Sequence, residues 1–320
     1  MTLQEIINEM RRRLGDDRGP VAKRLWSDTD LVTYANDAER EVARKLELLR
    51  DSDTIGYVVL SGTVGQVDSI SVSGVTITSG AVVFATTLTA LATNLAANIN
   101  AYTSTPNYRA VSRGTLVIIK ASTQTGYPSA GYTLAAAASA GITAACTDLP
   151  GLTRYVVAVG QRYLTLNDKI VRIVRFKPSL QAKPIRDYTK DDLDAEFPGW
   201  EEYENGTISR FAPDYDSNEA IVVPAPSAVE LIEQEVYRLP LVDFTVNDLG
   251  AIPEISARHH ETMIEWGMRQ AYKKNDVETL DINRSMSHET EFNRRIEEWK
   301  REHIKRGSQG NTNQMPSGVF

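Results

Sequence analysis

Cysteine is almost absent from this chain of 320 residues, which contains only Cys146. A single cysteine excludes an intramolecular disulfide and any metal site built from several cysteines. Long apolar runs are also missing, so no stretch of the sequence has the length needed to cross a membrane. The N-terminal segment carries Glu5 and Glu9 among its apolar residues, which is not the pattern of a signal peptide. We therefore expect a folded protein without a membrane segment.

An excess of positive charge is lacking as well. The chain has 35 Lys and Arg against 42 Asp and Glu, which gives a formal net charge of −7. Binding to nucleic acid through its phosphates depends on positive charge, so this balance provides no general attraction to DNA or RNA. A local basic patch is still compatible with the composition.

Catalytic signatures are missing too. The sequence has no G-x-S-x-G elbow, no P-loop and no dinucleotide-binding fingerprint. Of the histidines His259, His260, His288 and His303, the adjacent pair cannot share a helix face as chelating pairs do. We interpret all four as solvated or half-buried side chains. We expect no enzymatic activity, no cofactor and no metal, and Cys146 has no basic neighbour that would make it a nucleophile.

Two charged segments have alternative interpretations. Residues 187–204 are rich in carboxylates, two of which a glycosidase would need in a cleft, but the polarity of the segment favours a solvated acidic surface, with or without a weakly bound cation. The basic cluster Arg11-Arg12-Arg13 could contact phosphate or an acidic partner, but interleaved acidic residues favour a solvated helix face. Among the tryptophans, we expect Trp26 and Trp299 in the core and Trp200 exposed.

Apolar residues at helical spacing predict helices at both ends of the chain. The first helix covers about 3–14, and the second follows the N-cap candidate Ser27. Near the C-terminus, Pro253 suits a first helical position. Two further helices, separated at Asn275-Asp276, form a helical hairpin.

The middle of the chain has a different composition. Residues 55–152 carry few charges, and apolar residues there alternate with Ser and Thr, which predicts strands around a helix at 88–102. Farther along, 170–176 predicts another strand. The stretches 221–223 and 229–236 predict a hairpin across a turn that contains two prolines.

Together these patterns predict an α+β fold. It consists of a helical bundle, made of the N-terminal helix pair and the C-terminal helical hairpin, with a β-rich middle and an inserted small α+β module. The expected domains are N-terminal helices of a core at 1–54, an inserted low-charge β-rich module at 55–152, the rest of the core at 153–306, and a flexible tail at 307–320.

The order of these elements resembles the head-to-tail adaptor, or connector, proteins of tailed bacteriophages. The resemblance covers 1–54 and about 153–304 and departs from the simplest adaptors at 55–150. The segments that carry it are Trp26-Ser27-Asp28-Thr29-Asp30-Leu31, Asn36-Asp37-Ala38, Gly160-Gln161-Arg162-Tyr163-Leu164-Thr165-Leu166-Asn167-Asp168, Ile170 to Phe176, Ile221 to Pro226, Tyr237-Arg238-Leu239-Pro240, Ile252-Pro253-Glu254-Ile255 and Ala271-Tyr272-Lys273-Lys274-Asn275-Asp276.

This resemblance implies a structural role at the head–tail junction of a virion that is assembled in the host cytoplasm. Adaptors form a ring, usually of twelve copies, that binds the portal protein, extends the DNA channel without reading sequence and carries tail proteins. The alternatives are another tail component, such as a tail-tube or baseplate protein, and a cell-wall hydrolase, since some relatives are linked to peptidoglycan cleavage. Particle location and symmetry distinguish the first alternative, and a zymogram distinguishes the second.

The tail at 307–320 has no core of its own, so a partner would have to supply the free energy that orders it. We expect it to dock on the portal, with basic residues before it and two apolar anchors within it. The alternative is a disordered or cloning remnant. The residues expected to bind the portal are Lys305, Arg306, Met315, Pro316, Val319 and Phe320.

Overall fold

The computed structural model describes residues 1–17, 24–122, 127–128, 130–216, 218–274 and 278–309, with only the backbone described at 214–216 and 303–309. The chain divides into two compact units. Unit 1 contains Met1–Leu49 and the chain from Leu239 onward, and unit 2 is Arg50–Arg238. The predicted division at 55–152, 153–306 and 307–320 stays a prediction.

The described part of the chain contains α-helices and β-strands, each type numbered in chain order. The α-helices are α1 (Leu3–Leu14), α2 (Asp28–Leu46), α3 (Leu88–Ala101), α4 (Lys190–Glu196), α5 (His260–Lys273) and α6 (Ile282–Gln309). The strands are β1 (Leu49–Asp51), β2 (Thr54–Gly62), β3 (Gln66–Val72), β4 (Val75–Thr76), β5 (Val82–Val83), β6 (Tyr108–Arg113), β7 (Leu116–Ala121), β8 (Leu134–Ser139), β9 (Ile142–Asp148), β10 (Arg154–Val157), β11 (Tyr163–Thr165), β12 (Ile170–Pro178), β13 (Arg210–Asp216), β14 (Glu219–Val223) and β15 (Glu230–Arg238).

Local hydrogen bonds set the starts of the first two helices, and the cap of the second one was predicted at Ser27. The Ser27 hydroxyl accepts from the Asp30 amide, and the Asp30 carboxylate accepts from the Ser27 amide, which is a capping box. Thr2 and Glu5 form the same arrangement at the start of α1. At the C-terminus, the prediction of a helix start at Pro253 is wrong, because α5 begins at His260 after a short 3-10 turn.

The helices α1, α2, α5 and α6 pack around the core of unit 1. Its buried members include Leu3, Ile6, Leu31, Ile264 and Phe292, none of which is more than 1% exposed. Trp26 is also in this core, as predicted, and its indole Nε1 donates to the Ala271 carbonyl at 3.1 Å. The helical termini of the chain therefore share one apolar core.

Arg11 departs from the predicted solvated helix face. Its side chain is 5% exposed, and its guanidinium donates to Asp16 at 2.8 Å, to Asp28 at 2.6 Å and to the Trp26 carbonyl at 3.0 Å. Arg12, the next residue, is 66% exposed and pairs with Glu9 on its own helix. The solvated interpretation is therefore wrong for Arg11, which joins α1 to the segment that leads into α2.

Four sheets contain the described strands of unit 2. Two lie mainly within 50–148: one has the order β6-β7-β2-β9, and the other has the order β4-β3-β5 with β8 also paired to β3. The third has the order β11-β14-β13. In the fourth, β15 is central and pairs with β1, β10 and β12. Helix α3 packs mainly on β6 in the first part of the unit.

The predicted hairpin between 221–223 and 229–236 is wrong, although both stretches form strands. β14 pairs with β11 and β13, whereas β15 pairs with β10 and β12 in a different sheet. The two strands thus separate at the proline-containing turn. Strand patterns identify a strand but not its partner, because pairing depends on residues far away in sequence.

Buried hydrogen bonds connect the two parts of unit 2. The Thr153 hydroxyl donates to the Thr54 carbonyl at 2.6 Å. Gln234, 1% exposed, donates from Nε2 to the carbonyls of Gly151 and Leu152 at 2.6 and 2.8 Å. Since a buried polar group that loses its partner is costly, these contacts couple the low-charge stretch to the strands that follow it.

The predicted fold class, a helical bundle with a small inserted module, is wrong. The chain is mixed α+β with a β-rich middle, with 33% helix and 30% strand, and its described strands form four sheets. The error has a physical cause. Residues 134–148, mostly small side chains with little pattern, form β8 and β9, and residues 154–238 build apolar cores of their own around Phe211 and Trp200.

The contacts of Arg11 lead to a stability prediction. Arg11→Ala leaves the buried Asp16 carboxylate without its charge partner, so we expect the free energy of unfolding to fall by about 3–5 kcal/mol. Arg12→Ala is the matched control, because Arg12 is exposed and its ion pair is solvated. Chemical unfolding followed by circular dichroism would measure both variants. Equal unfolding midpoints for the two variants would contradict the structural role of Arg11.

Candidate interaction site

A groove of about 600 Å³ lies in unit 1, beside the C-terminal end of α2. Apolar side chains from Leu46, Leu48 and Trp299 line part of it. Trp299 is partly exposed here, so the prediction that it lies in the core is wrong. The residue that ends α2, Glu47, has a left-handed backbone with φ of 48°, which turns the chain out of the helix. The charged side chains that also line the groove are Arg44, Lys45, Glu47, Arg258, Lys300 and Glu302.

His259 lies at the groove with its side chain 6% exposed. Its ring meets the Trp299 ring edge-on, with centroids 4.6 Å apart. Burial, together with the nearby charges of Arg258 and His260, lowers the pKa of His259 to about 4. The imidazole is therefore neutral at pH 7. The groove combines an apolar, aromatic surface with a mostly basic rim, which is a composition suited to binding a peptide segment.

The C-terminal helix passes this groove on its way to the predicted docking tail. Trp299, Lys300 and Glu302 of α6 line the groove, and the helix backbone continues to Gln309. Of the residues predicted to bind the portal, Lys305 and Arg306 lie in this helix, with side chains outside the described part of the structure. The other four lie outside the described residues, and these are Met315, Pro316, Val319 and Phe320.

The histidines only partly follow their predicted placement. His288 is half-buried, as expected, but His259 and His260 are 6% and 1% exposed, so the solvated or half-buried interpretation is wrong for these two. Burial also lowers the pKa of His260. The side chain of His303 lies outside the described residues. Nothing in the residues around His259-His260 distinguishes a buried histidine pair from a solvated one.

The acidic segment at 187–204 lies on the surface of unit 2, as predicted. Thr189 caps α4 and Asp192 completes the capping box, and the hydrogen bond from the Thr189 amide lowers the pKa of the Asp192 carboxyl. A glycosidase acid needs a raised pKa, so Asp192 does not have that property. Trp200 was predicted to be exposed, and this is wrong: it is 1% exposed, and its Nε1 donates to Asp194 at 2.8 Å.

Metal binding and membrane insertion would each need a recognisable arrangement of the described residues. Within those residues, no three His, Cys, Asp or Glu side chains lie close enough to hold a metal ion. No helix in the same part of the chain is long and apolar enough to span a membrane. Cys146 on β9 is half-buried, and burial, together with Asp148, raises the pKa of its thiol. The raised pKa reduces the thiolate fraction on which nucleophilic reactivity depends.

The chain matches a family of known proteins over most of its length. A family model described as SU10 adaptor protein matches the chain over two overlapping stretches, residues 1–155 and 134–315. The matched residues include elements of both units. A search of curated proteins found no match.

The buried, neutral state of His259 leads to a pH prediction. An unfolded histidine takes up its proton near pH 6.5, whereas His259 in the folded protein does so near pH 4. Between these values the unfolded chain binds more protons, so stability falls as the pH is lowered through that window. We expect His259 to account for a loss of about 3 kcal/mol from pH 6.5 to pH 4.

The variant His259→Phe keeps an aromatic contact with Trp299 and removes the titrating group. Its unfolding free energy, measured by denaturant titration at several pH values, should depend less on pH across this window than that of the unchanged protein. Some dependence should persist, because the pKa of His260 is also lowered. An identical pH dependence in the two proteins would sink the prediction.

Proposed function

Because the chain belongs to the SU10 adaptor protein family, a family of structural phage proteins, we propose that it is the head-to-tail adaptor of a tailed phage. In this proposal, the protein lies at the head–tail junction of the virion after assembly in the host cytoplasm. The observation that carries the proposal is the family match, which extends over residues 1–315 and thus includes the β-rich unit 2 as well as the helices.

The finer proposal is a ring of about twelve copies that binds the portal protein, extends the DNA channel and carries tail proteins. A closed ring requires contacts between different surfaces of neighbouring copies. The formal net charge of −7 supports a channel to which DNA does not adhere, since the phosphate backbone is repelled by an acidic wall. The role is structural, and no catalytic step is proposed.

The groove beside α2 supports a contact of unit 1 with another protein. Trp299 is partly exposed there, and aromatic side chains that line a concave surface are common centres of binding energy. The last helix passes the groove just before the tail begins. We propose that the tail, through Met315-Pro316 and Val319-Phe320, docks on the portal, with Lys305 and Arg306 pairing with acidic portal residues.

Assembly tests the ring. The purified chain, mixed with its portal, should give particles with cyclic symmetry in negative-stain images and a mass equal to a fixed multiple of the chain in native mass spectrometry. The portal alone and the chain alone serve as controls. Monomers that never associate with the portal would eliminate the adaptor proposal.

Truncation tests the tail separately. A chain that ends at Gly307 lacks both apolar anchors, each of which contributes roughly 1.5–3 kcal/mol per buried side chain. We expect at least a tenfold loss of portal binding, measured by co-sedimentation with portal rings. A chain that carries Ser317→Gly alone is the control, because it keeps the anchors. Unchanged binding of the truncated chain would exclude tail docking but would leave the ring proposal intact.

A further inference from the structure

Three exposed apolar side chains lie close together where α6 begins. Leu280, Ile282 and Met286 are each between 45% and 62% exposed. Ile282 and Met286 are four residues apart in the helix, so they lie on the same helix face. Single apolar residues are common on protein surfaces, but a cluster of large ones is typical of a contact with another molecule. We call these three side chains the apolar ridge.

The apolar ridge and the groove beside α2 lie at different places on unit 1. Met286 of the ridge and Trp299 of the groove both belong to α6. At about 1.5 Å per residue, the separation from 286 to 299 corresponds to about 20 Å along the helix axis. A chain therefore cannot place its own ridge in its own groove.

The size of the groove suits the apolar ridge. An apolar cavity of about 150 Å³ holds one benzene-sized group, and the groove, at about 600 Å³, is several times larger. It has apolar walls from Leu46, Leu48 and Trp299. Three aliphatic side chains, each comparable in size with such a group, would fill most of it.

Most of the charged residues on the groove rim already have partners. Glu47 and Glu302 interact with other residues of the chain. Arg258 differs, because it is exposed and forms no salt bridge within the described part of the chain. The paired basic residues are Arg44 and Lys45, each with Glu41, and Lys300 with Glu297.

An acidic residue next to the apolar ridge can meet Arg258. Glu278 is exposed, two residues before Leu280, and it has no salt bridge to any residue that the structure describes. Asp281, which is also close, is paired with Arg284. The C-terminal tail, in contrast, has no charged side chain at 308–320. The ridge therefore matches the groove in apolar character and in charge, whereas the tail matches it in apolar character alone.

We propose that the apolar ridge of one copy fills the groove beside α2 of the neighbouring copy, with Glu278 paired to Arg258. This inference rests on the proposed ring, which needs two different surfaces that fit each other on every copy. An apolar patch that fits a pocket elsewhere on the same molecule produces a head-to-tail contact. Such a contact repeats from copy to copy until the ring closes, and both of its surfaces belong to unit 1.

A disulfide tests whether the two surfaces meet. Ser256 lines the groove and Asn283 follows Ile282, and both are exposed. The test chain carries Ser256→Cys and Asn283→Cys together with Cys146→Ser. In one chain the two new cysteines are too far apart to bond, because a disulfide needs Cα atoms within about 7 Å, and residue 256 lies at the Trp299 end of α6, where the His259 and Trp299 rings are 4.6 Å apart.

Mild oxidation of this chain with its portal should give a ladder of linked chains up to the full ring. Mass spectrometry of the digested ladder should find position 256 joined to position 283. Each single-cysteine chain, also with Cys146→Ser, serves as a control and should give no ladder, because a contact between different surfaces does not bring two identical positions together.

A charge placed on the apolar ridge tests its contribution to assembly. Met286→Lys puts an ammonium group into the apolar contact, and we expect it to raise the concentration needed for ring assembly at least tenfold. Ser287→Lys is the matched control, because Ser287 is exposed and turned by about 100° around the helix from Met286. Mass photometry of each chain with its portal measures the ring population, and circular dichroism checks that both variants fold.

Charge exchange tests the pairing of Glu278 with Arg258. Glu278→Lys and Arg258→Glu each place like charges across the contact, which we expect to weaken assembly roughly threefold. The chain that carries both substitutions restores opposite charges and should assemble like the unchanged chain.

The outcomes separate this inference from the proposed function. Rings that lack the link between positions 256 and 283, or normal rings from Met286→Lys, would overturn the contact and leave the adaptor role standing. An unchanged chain that forms no ring and binds no portal would overturn both. Loss of portal binding in Arg258→Glu, together with normal assembly of Met286→Lys, would assign the groove to the portal and overturn the proposal.

Discussion

An ion pair between Asp51 and Arg238 closes unit 2 where the chain enters and leaves it. The Arg238 Nε lies 2.7 Å from the Asp51 carboxylate, and the two side chains are 7% and 3% exposed. Burial alone would raise the pKa of Asp51, but the charges of Arg238 and Lys120, with hydrogen bonds from Arg238 and Thr54, lower it. The carboxylate therefore stays ionised, and a buried ionised group is tolerated only with its partner in place.

This closure explains how one chain builds two units. Strands β2 to β14 all lie between Asp51 and Arg238 in sequence. The ion pair between these two residues therefore joins the start of the β-rich middle to its end. Because entry and exit are held together, the helices at the two ends of the chain can share one apolar core without a long connection. Insertions are tolerated at connections of this kind when the flanking backbone stays supported.

The sequence predicted best what short-range contacts determine. The capping box at Ser27 uses a partner three residues away, and Ser27 was the predicted N-cap. The helix that the Thr2 capping box starts was predicted at about 3–14, but its cap was not. Arg11 was misinterpreted because its partners lie up to 17 residues away, so its neighbours in sequence say nothing about its burial. The same limit applies to Trp200, which packs under an acidic surface, and to the partners of β14 and β15.

The placement of charged residues on the surface also depends on contacts between residues that are far apart in sequence. A count of charged residues gives −7 and predicts no general attraction to nucleic acid, but it cannot say where the charges lie. Folding exposes seven carboxylates of 191–204 on unit 2, whereas it pairs Arg50 with Glu235 and Arg154 with Glu233 on the sheet of β15. Exposed charges interact over about 8–10 Å at moderate salt, so their local arrangement governs association more than the sum does. The net charge of a chain therefore does not say which partner a given surface attracts, because neighbouring charges that are already paired contribute little to that attraction.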